Sequence, residues 1–243
     1  MFSILKKPPI LAKLIPSGYT DIHSHILPGI DDGANDAFQS IQLIGEMKKM
    51  GFDKLIATPH TMSGVWNNSV QDIRDSYDSL KNKLDKADQD LSFASEYLID
   101  SLFLEKIQTQ KLLCLKQNYV LVELSYLQPP VNLYEIIFEL QVKGYIPVLA
   151  HPERYAYFFN EFKNFKKLKN SGCLFQLNLM SVVGHYGVHS SRMADKLLRE
   201  NMIDYVGSDI HHSGHINVFK RPVRIKSLKA LEFAIEANKF FKD

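Results

Sequence analysis

Short apolar runs alternate with longer amphipathic stretches along most of the chain, and this alternation limits the fold more than any other feature. Apolar runs of about four to seven residues have the length of strands buried on both faces, and the stretches between them have helical periodicity. Such alternation is typical of repeated βα units, which build parallel sheets. The sequence therefore predicts an α/β protein whose strands form one closed or nearly closed parallel barrel.

The pattern predicts strands at residues 19–22, 54–58, 91–97, 119–124, 146–150, 173–179 and 203–207. It predicts helices at residues 36–50, 70–87, 134–142, 158–169, 192–200 and 228–241. The first helix is expected to bury Phe38, Ile41, Ile44 and Met47. Because no repeat or linker divides the chain, we expect a single domain at residues 19–243, preceded by an N-terminal extension of residues 1–18.

Side chains that bind metal ions lie at the carboxyl end of nearly every predicted strand. Residues two apart in a strand project to the same face, so His23 and His25 can reach one point, with Asp21 below them. Barrels of βα units build their active sites where these strand ends meet. The candidates are His23, His25, Asp31, Asp32, His60, Glu96, Glu123, His151, Asp209 and His211. The sixth predicted strand ends only in Asn178.

These residue types in this number predict a metal cluster. A carboxylate such as Glu123, inside an apolar run, costs several kcal/mol to bury unless it has a partner, and a cation is a suitable one. Imidazoles and carboxylates without a nearby thiol suit Mn²⁺, Fe²⁺ or Zn²⁺. About nine ligands exceed the need of one ion, so we expect two or three divalent ions. Such a cluster can position a bridging hydroxide for in-line displacement, which predicts hydrolysis.

Other catalytic designs find no support in the sequence. A cysteine-dependent phosphatase needs an arginine six residues after its thiolate, but those positions after Cys114 and Cys173 hold Val120 and Leu179. No G-x-S-x-G, G-x-x-x-x-G-K or G-x-G-x-x-G motif occurs. Serine hydrolases, P-loop nucleotide hydrolases and dinucleotide-binding enzymes are therefore not favoured.

Composition limits the surroundings and partners of the chain. Its net charge of +2 is too small to favour nucleic acid as a partner. The two cysteines lie far apart, and prolines interrupt the first 17 residues, which lack the apolar core of a signal peptide. Charges also interrupt every apolar run that could insert into a membrane. We therefore expect a cytoplasmic protein.

The motifs together closely resemble those of the PHP (polymerase and histidinol phosphatase) metallohydrolases, over residues 19 to about 212. They are His23-Ser24-His25, Asp32, Thr58-Pro59-His60, Glu96, Glu123, Ala150-His151-Pro152-Glu153-Arg154 and Ser208-Asp209-Ile210-His211. Residues 21–34 are similar specifically to the bacterial manganese-dependent protein-tyrosine phosphatases of capsule and exopolysaccharide operons. The resemblance implies a distorted (β/α)₇ TIM-like barrel with three metal ions, Mn²⁺ first among the candidates. Its implied ligands are His23, His25, Asp32, His60, Glu96, Glu123, His151, Asp209 and His211.

The same resemblance implies removal of phosphate from phosphotyrosine in proteins, with a bacterial tyrosine kinase or its tail as partner. It implies that Arg154 binds the phosphate, together with a second arginine shortly after the last motif. Here residues 212–220 intervene before Arg221, the candidate for that role, and Lys220 could share it.

Several features of the chemistry stay open at the level of sequence. His212 and His215 are candidates for a general acid, and the loops at residues 61–68 and 155–159, the first with Trp66, could flank a substrate ring. A small-molecule phosphatase, such as one for histidinol phosphate, would use the same metals. An amidohydrolase is less favoured, because no strand carries a lysine placed as a carboxylated bridge. A binding module with a vestigial site is the last alternative, and the oligomeric state is not indicated.

Overall fold

The computed structural model describes residues 7–85 and 90–242. Their strands are β1 (Tyr19–Ser24), β2 (Phe52–Ala57), β3 (His60–Thr61), β4 (Leu91–Phe93), β5 (Glu96–Leu98), β6 (Tyr119–Glu123), β7 (Ile146–Ala150), β8 (Leu174–Asn178) and β9 (Tyr205–Gly207). Their α-helices are α1 (Ala37–Lys49), α2 (Val70–Lys81), α3 (Phe103–Thr109), α4 (Leu133–Val142), α5 (Lys163–Asn170), α6 (Gly187–Arg199), α7 (Ser213–Val218) and α8 (Leu228–Ala237). Short 3-10 helices occur at Leu11–Leu14, Pro152–Arg154, Ala156–Phe158, Leu179–Val183 and Asn238–Phe241.

All pairs between the named strands are parallel, which confirms the predicted α/β class. One sheet has the order β1-β2-β4, and the other has the order β3-β5-β6-β7-β8-β9. A parallel bridge between Ser24 and Ile210 connects the end of β1 to the chain that follows β9. Because parallel strands end at the same edge of a sheet, the side chains that follow them are gathered on one side of the molecule.

The predicted strand at residues 91–97 is wrong, because the structure has two shorter strands there in different sheets. Pro59 has no N–H group and interrupts the neighbouring strand, which resumes as β3. The adjacent segment, which connects β4 to β5, follows this interruption. Ala94 N donates to Ala57 O at 2.8 Å, and Glu96 N donates to Pro59 O at 3.1 Å. This interruption places His60 directly opposite Glu96.

The prediction of the buried face of α1 is wrong for Phe38 and Ile41 and confirmed for Ile44 and Met47. Its buried residues are Ser40, Leu43, Ile44 and Met47, an i, i+3, i+4, i+7 pattern, whereas Phe38 is 76% exposed and Ile41 is 37% exposed. The helix begins after Asp36, whose carboxylate accepts a hydrogen bond from Gln39 N.

Other helices differ from their predicted bounds, and α3 and α7 are absent from the prediction because both are short. The predicted helix at residues 70–87 ends as α2 at Lys81, and its residues 86 and 87 lie outside the described ranges. The helix predicted from residue 158 begins only at Lys163, and α6 begins at Gly187, five residues earlier than expected. None of the helices in the described ranges is long and apolar enough to cross a membrane.

Residues 7–18 of the predicted extension pack onto the rest of the chain. Leu11 and Ile15 are buried in the same apolar cluster as Phe52 and Phe219. Backbone hydrogen bonds join Leu11 N to Arg221 O and Ala12 N to Phe219 O, at 3.1 and 2.9 Å. This part of the extension is therefore integrated with the core.

A buried amide ties the end of the chain to the strands. Asn238 is fully buried, and its side-chain nitrogen lies 2.8 Å from Val206 O and 3.0 Å from Thr20 O. Its side-chain oxygen accepts from Val206 N at 3.1 Å. One side chain thus satisfies polar groups of both β1 and β9.

We expect Asn238→Leu to lower the free energy of unfolding by about 2–4 kcal/mol, because it leaves several buried backbone groups without partners. Urea denaturation measures the change. Asn170→Leu, at the exposed end of α5, is the control and is expected to change stability by less than about 0.5 kcal/mol. Equal effects of the two substitutions would contradict this role of Asn238.

Candidate metal centre

The structure brings all nine implied ligands together at the carboxyl ends of the strands. They form four overlapping groups whose ligand atoms lie within 4.8 Å of one another. The groups are His23, His25 and Asp209; His23, Glu96 and His151; His60, Glu96 and Glu123; and His25, Asp32, His60 and His211. Asp32 is exposed and His211 is half-buried, whereas the other seven are buried. The cluster therefore has one side open to solvent.

Glu96 of β5 lies at the middle of the cluster. Its Oε2 is 3.2 Å from both His23 Nε2 and His60 Nδ1, and its Oε1 is 2.9 Å from His151 Nε2. Burial alone would raise the pKa of Glu96, but the neighbouring charges of His23 and His60 hold that pKa well below its usual range. Glu96 is fully buried, and its imidazole neighbours favour the ionised form of its carboxylate.

The cluster contains buried atoms that the protein itself does not satisfy. His60 Nδ1, Glu96 Oε2 and Glu123 Oε1 are buried without a hydrogen bond of good geometry among the described residues, although they face one another at 2.9 and 3.2 Å. Buried polar atoms almost always have partners. A divalent cation coordinated by these three atoms would satisfy all of them, so the donor set fits a metal ion.

Three of the imidazoles are oriented by contacts on the side away from the cluster. The Nδ1 atoms of His23 and His25 lie 2.8 Å from Gln176 Oε1 and 2.7 Å from Asp31 Oδ2. His211 Nδ1 lies 2.9 Å from the backbone oxygen of Asp209. In each case Nδ1–H is the donor, which leaves the lone pair of Nε2 for a metal.

Asp31 is therefore an orienting residue, although the sequence pattern groups it with Asp32 as a candidate ligand. It also accepts hydrogen bonds from Gly33 N and His60 N. Burial would raise the pKa of Asp31, but the charge of His25 and the hydrogen bonds from His25 and Gly33 N lower that pKa to about 2. Gln176 was not among the sequence-based candidates, because a glutamine inside a strand carries no metal-binding signal.

Asp209 presents its two carboxylate oxygens to different groups. Oδ1 faces His23 Nε2 and His25 Nε2 at 3.3 and 3.4 Å. Oδ2 accepts hydrogen bonds from Asn178 Nδ2 at 2.7 Å, Arg154 Nη1 at 3.0 Å and Tyr186 Oη at 3.4 Å. The three donors fix the orientation of the carboxylate, and Oδ1 stays directed at the cluster. Asn178, the polar side chain at the end of the sixth predicted strand, therefore acts through Asp209.

The backbone is strained at two of the candidate ligands. His151 and Asp209 have φ angles of 37° and 53°, in the left-handed region that non-glycine residues rarely adopt. Such conformations cost about 1–3 kcal/mol and persist only where the surroundings impose them. Here His151 N donates to Gln176 O and Asp209 N donates to His23 O, both at 2.7 Å. The turn directs each side chain back over the strand ends.

Two other buried acids support the cluster from outside. Asp21 accepts hydrogen bonds from Ser208 N and Ser208 Oγ at 2.9 and 2.6 Å, and burial raises its pKa to about 7. Glu153 accepts from Ser181 Oγ at 2.6 Å and from Asn178 N at 3.1 Å, and burial raises its pKa to about 7 as well. Both carboxyls position the loops that follow the strands.

The cluster lies at the bottom of a cavity of about 380 Å³. Arg154 lies inside it with its guanidinium between two aromatic rings, 4.0 Å from the centre of Tyr186 and 4.7 Å from that of Tyr126. Trp66 also lines the cavity and stacks on His60 at 4.8 Å. Tyr126 and Tyr186 were not among the sequence-based candidates, because they lie on loops without a motif.

The remaining sequence-based candidates occupy different places. His212 and His215 line the cavity, and His215 Nδ1 accepts a hydrogen bond from His211 N at 3.1 Å. Arg221 and Lys220 are exposed and do not line it. In the loop at residues 155–159, Tyr155 and Phe158 are buried in the apolar core, so these two rings do not flank the cavity.

The chain is similar to known proteins over most of its length. Residues 19–228 match the family model described as "Capsular polysaccharide synthesis, CpsB/CapC". The chain is 33% identical to tyrosine-protein phosphatase YwqE of Bacillus subtilis over 195 residues, which is 79% of this chain and 77% of that protein. It is 26% identical to tyrosine-protein phosphatase CpsB of Streptococcus pneumoniae over 202 residues, 79% of this chain and 82% of that protein.

A solved structure is also similar over nearly the whole chain. It comes from work described as "Crystal structures of YwqE from Bacillus subtilis and CpsB from Streptococcus pneumoniae, unique metal-dependent tyrosine phosphatases". The TM-score is 0.77 and the sequence identity is 31%, over 91% of this chain and 90% of that chain.

We expect His60→Ala to weaken binding of divalent metal by at least about tenfold, because His60 contributes to two of the four ligand groups. The measurement is the metal content of the purified protein together with the rise in melting temperature on addition of Mn²⁺. His189→Ala, an exposed histidine of α6, is the matched control and should retain both properties. Unchanged metal content in His60→Ala would count against the centre.

We expect Gly207→Ala to reduce both stability and metal affinity. A Cβ atom at Gly207 would lie 2.6 Å from His23 Cβ and from Gln176 Nε2, so the substitution displaces a candidate ligand and its orienting partner. The expected loss of stability is about 1–3 kcal/mol. The control is Gly45→Ala within α1, where a Cβ meets nothing within 4 Å and should stabilise the helix by about 0.5–1 kcal/mol. Wild-type Mn²⁺ affinity in Gly207→Ala would be the contrary outcome.

Proposed function

This chain belongs to the CpsB/CapC family of capsular polysaccharide synthesis, and we propose on that basis that it is a metal-dependent protein-tyrosine phosphatase. The observation that carries the proposal is the convergence of five imidazoles and four carboxylates around buried, unsatisfied ligand atoms. The relatives named tyrosine-protein phosphatases support the reaction, and they do not favour the alternative of a histidinol-phosphate phosphatase.

We also propose that the strands form a distorted (β/α)₇ barrel of the PHP type. Two of its seven strands would each be interrupted, one into β2 and β3 and the other into β4 and β5. Hydrogen bonds from His25 N to Ile210 O and from Asp209 N to His23 O, at 2.9 and 2.7 Å, support closure of the barrel between β1 and β9. Closure would remove the exposed edges that an open sheet leaves unpaired.

The nine residues would hold two or three divalent ions, with Mn²⁺ as our first choice and Fe²⁺ or Zn²⁺ as alternatives of similar ligand preference. When bound, such ions lower the pKa of water and stabilise negative charge on phosphoryl oxygens. Glu96 belongs to two of the ligand groups and would contribute a carboxylate oxygen to each.

Arg154 would bind the phosphoryl group of the substrate. Its guanidinium offers a planar set of donors that matches phosphate oxygens, and contacts with the rings of Tyr126 and Tyr186 limit its movement. Asp209 Oδ2 holds one end of the guanidinium at 3.0 Å, so the arginine is oriented before substrate arrives. Arg221 stays a sequence-based proposal for a second phosphate contact.

The aromatic lining of the cavity supports an aryl phosphate as substrate. Trp66 and Tyr126 offer apolar surface beside the cluster against which a tyrosine ring can pack. A phenol, whose pKa is about 10, is a better leaving group than an aliphatic alcohol, so a strong general acid is not required. We therefore name no general acid, although His212 and His215 lie within the cavity.

The physiological partner would be a phosphotyrosine protein, and we propose the tail of a bacterial tyrosine kinase that controls capsule or exopolysaccharide synthesis. The description of the family supports this setting. Because Cys114 and Cys173 are both free, a reducing compartment such as the cytoplasm is consistent with the chain.

The test compares turnover of a phosphotyrosine peptide with turnover of histidinol phosphate by metal-loaded protein. We expect phosphate release from the peptide, at least about tenfold higher kcat/KM than for histidinol phosphate, and loss of activity after chelation of the metal. Preference for histidinol phosphate would favour the small-molecule alternative, and no hydrolysis of either substrate would contradict the enzymatic function.

We expect Arg154→Lys to lower kcat/KM for an aryl phosphate by about a hundredfold, because lysine keeps the charge but loses the planar fork. Metal content should be unchanged, because Arg154 is not a candidate ligand and Asn178 Nδ2 still holds Asp209 Oδ2 at 2.7 Å. Arg74→Lys, at an exposed position of α2, is the control. Wild-type turnover by Arg154→Lys would exclude the proposed phosphate contact.

A further inference from the structure

Apart from the cavity of the candidate metal centre, a groove of about 380 Å³ lies between α6 and the segment at residues 224–226. The helix contributes residues spaced by three or four positions, which therefore share one face. These are Val188, Ser191, Arg192, Asp195 and Arg199. The opposite wall contains Arg224, Ile225 and Lys226. We call this feature the basic groove.

The basic groove has an excess of positive charge that the protein does not neutralise. None of its four cations, Arg192, Arg199, Arg224 and Lys226, forms an ion pair with a carboxylate in residues 7–85 and 90–242. The acid that lines the groove, Asp195, instead accepts hydrogen bonds from Lys226 N and Ser227 N, both at 2.9 Å. The arginine and lysine side chains are therefore available to an anionic ligand.

The walls of the basic groove are held in place by specific contacts. Arg224 N donates to Val182 O at 2.8 Å, and Asp195 holds the other end of the segment. The Arg224 side chain lies across Gly184, where a Cβ atom would be only 3.0 Å from Nη1. Gly184 also has a φ angle of 77°, so glycine is favoured there for two reasons.

The basic groove begins close to the cavity of the candidate metal centre. Gly184 lines the groove, whereas Tyr186, two residues later, lines the cavity and contacts Arg154. Two residues span at most about 7 Å of chain. A peptide whose phosphotyrosine occupies the cavity can therefore reach the groove with residues only a few positions away.

We propose that the basic groove binds acidic side chains that flank the phosphotyrosine in the substrate protein. Guanidinium groups bind carboxylates with paired hydrogen bonds, and four unpaired cations favour an acidic segment over a neutral one. The inference rests on the proposed phosphatase function and adds its substrate class: phosphotyrosine in an acidic sequence. The groove contacts the substrate in the ground state and in the transition state alike, so it lowers KM and leaves kcat unchanged.

The experiment uses metal-loaded full-length protein and peptide pairs of equal length. One peptide carries aspartate and glutamate on both sides of the phosphotyrosine, and the other carries asparagine and glutamine at the same positions. We expect the wild type to have a roughly three- to tenfold higher kcat/KM for the acidic peptide at low ionic strength, through KM, with the preference falling as salt is added. The triple variant Arg192→Gln, Arg199→Gln, Arg224→Gln should lose the preference and keep its turnover of a small aryl phosphate.

The matched control removes the same charge elsewhere. Lys83→Gln, Lys111→Gln and Lys143→Gln are exposed positions that precede β4, β6 and β7, at the opposite end of the strands from the cavity. This variant should retain the preference for the acidic peptide. If the arginine triple variant does not fold, the single variants Arg192→Gln and Arg199→Gln, on the exposed face of α6, repeat the comparison.

Two results would overturn the inference: equal kcat/KM for both peptides in the wild type, or a preference that survives in the arginine variants. Either result would leave turnover of the peptides intact, and thus leave the phosphatase function standing. Absence of turnover for every phosphotyrosine peptide and for the aryl phosphate would instead reject the proposed function, and the inference with it.

Discussion

The structure depends on compensation of charge at the cluster of ligand atoms around Glu96. A carboxylate that is fully buried costs several kcal/mol unless opposite charge and hydrogen bonds offset the loss of water. The imidazoles of His23, His60 and His151 surround Glu96, yet its Oε2 still lacks a hydrogen bond of good geometry. Divalent cations would offset the negative charge of Glu96 and would also supply a partner for its Oε2.

Several locally unfavourable features of the backbone help to place the candidate ligands. The strand interruption at Pro59 brings His60 opposite Glu96, and left-handed backbone at His151 and Asp209 directs these side chains over the strand ends. Gly207 leaves room for His23. Each of these features weakens regular secondary structure locally, and each has a clear effect on a candidate ligand. Strain concentrated in this way is typical of functional sites.

The sequence pattern predicted the α/β class, most strands and ten candidate ligands at strand ends, because strand period and the position of strand ends depend on local pattern. Nine of those ten side chains, all but Asp31, fall in the four ligand groups. It did not predict the break between β4 and β5 or the exposed Phe38, since both depend on which neighbour each element packs against. The orienting contacts of Gln176, Tyr126 and Tyr186 were also missed. They join residues far apart in the chain and belong to types whose usual role is structural, so only three-dimensional contacts identify them.

The central claim is that these nine residues enclose bound metal ions. The most direct measurement is an anomalous difference map at the manganese absorption edge, from crystals of protein prepared with Mn²⁺. We expect two or three strong peaks within coordination distance of Glu96, Asp209 and the surrounding imidazoles. A map without peaks at these side chains, or with manganese only at other surface positions, would contradict the presence of a metal centre here.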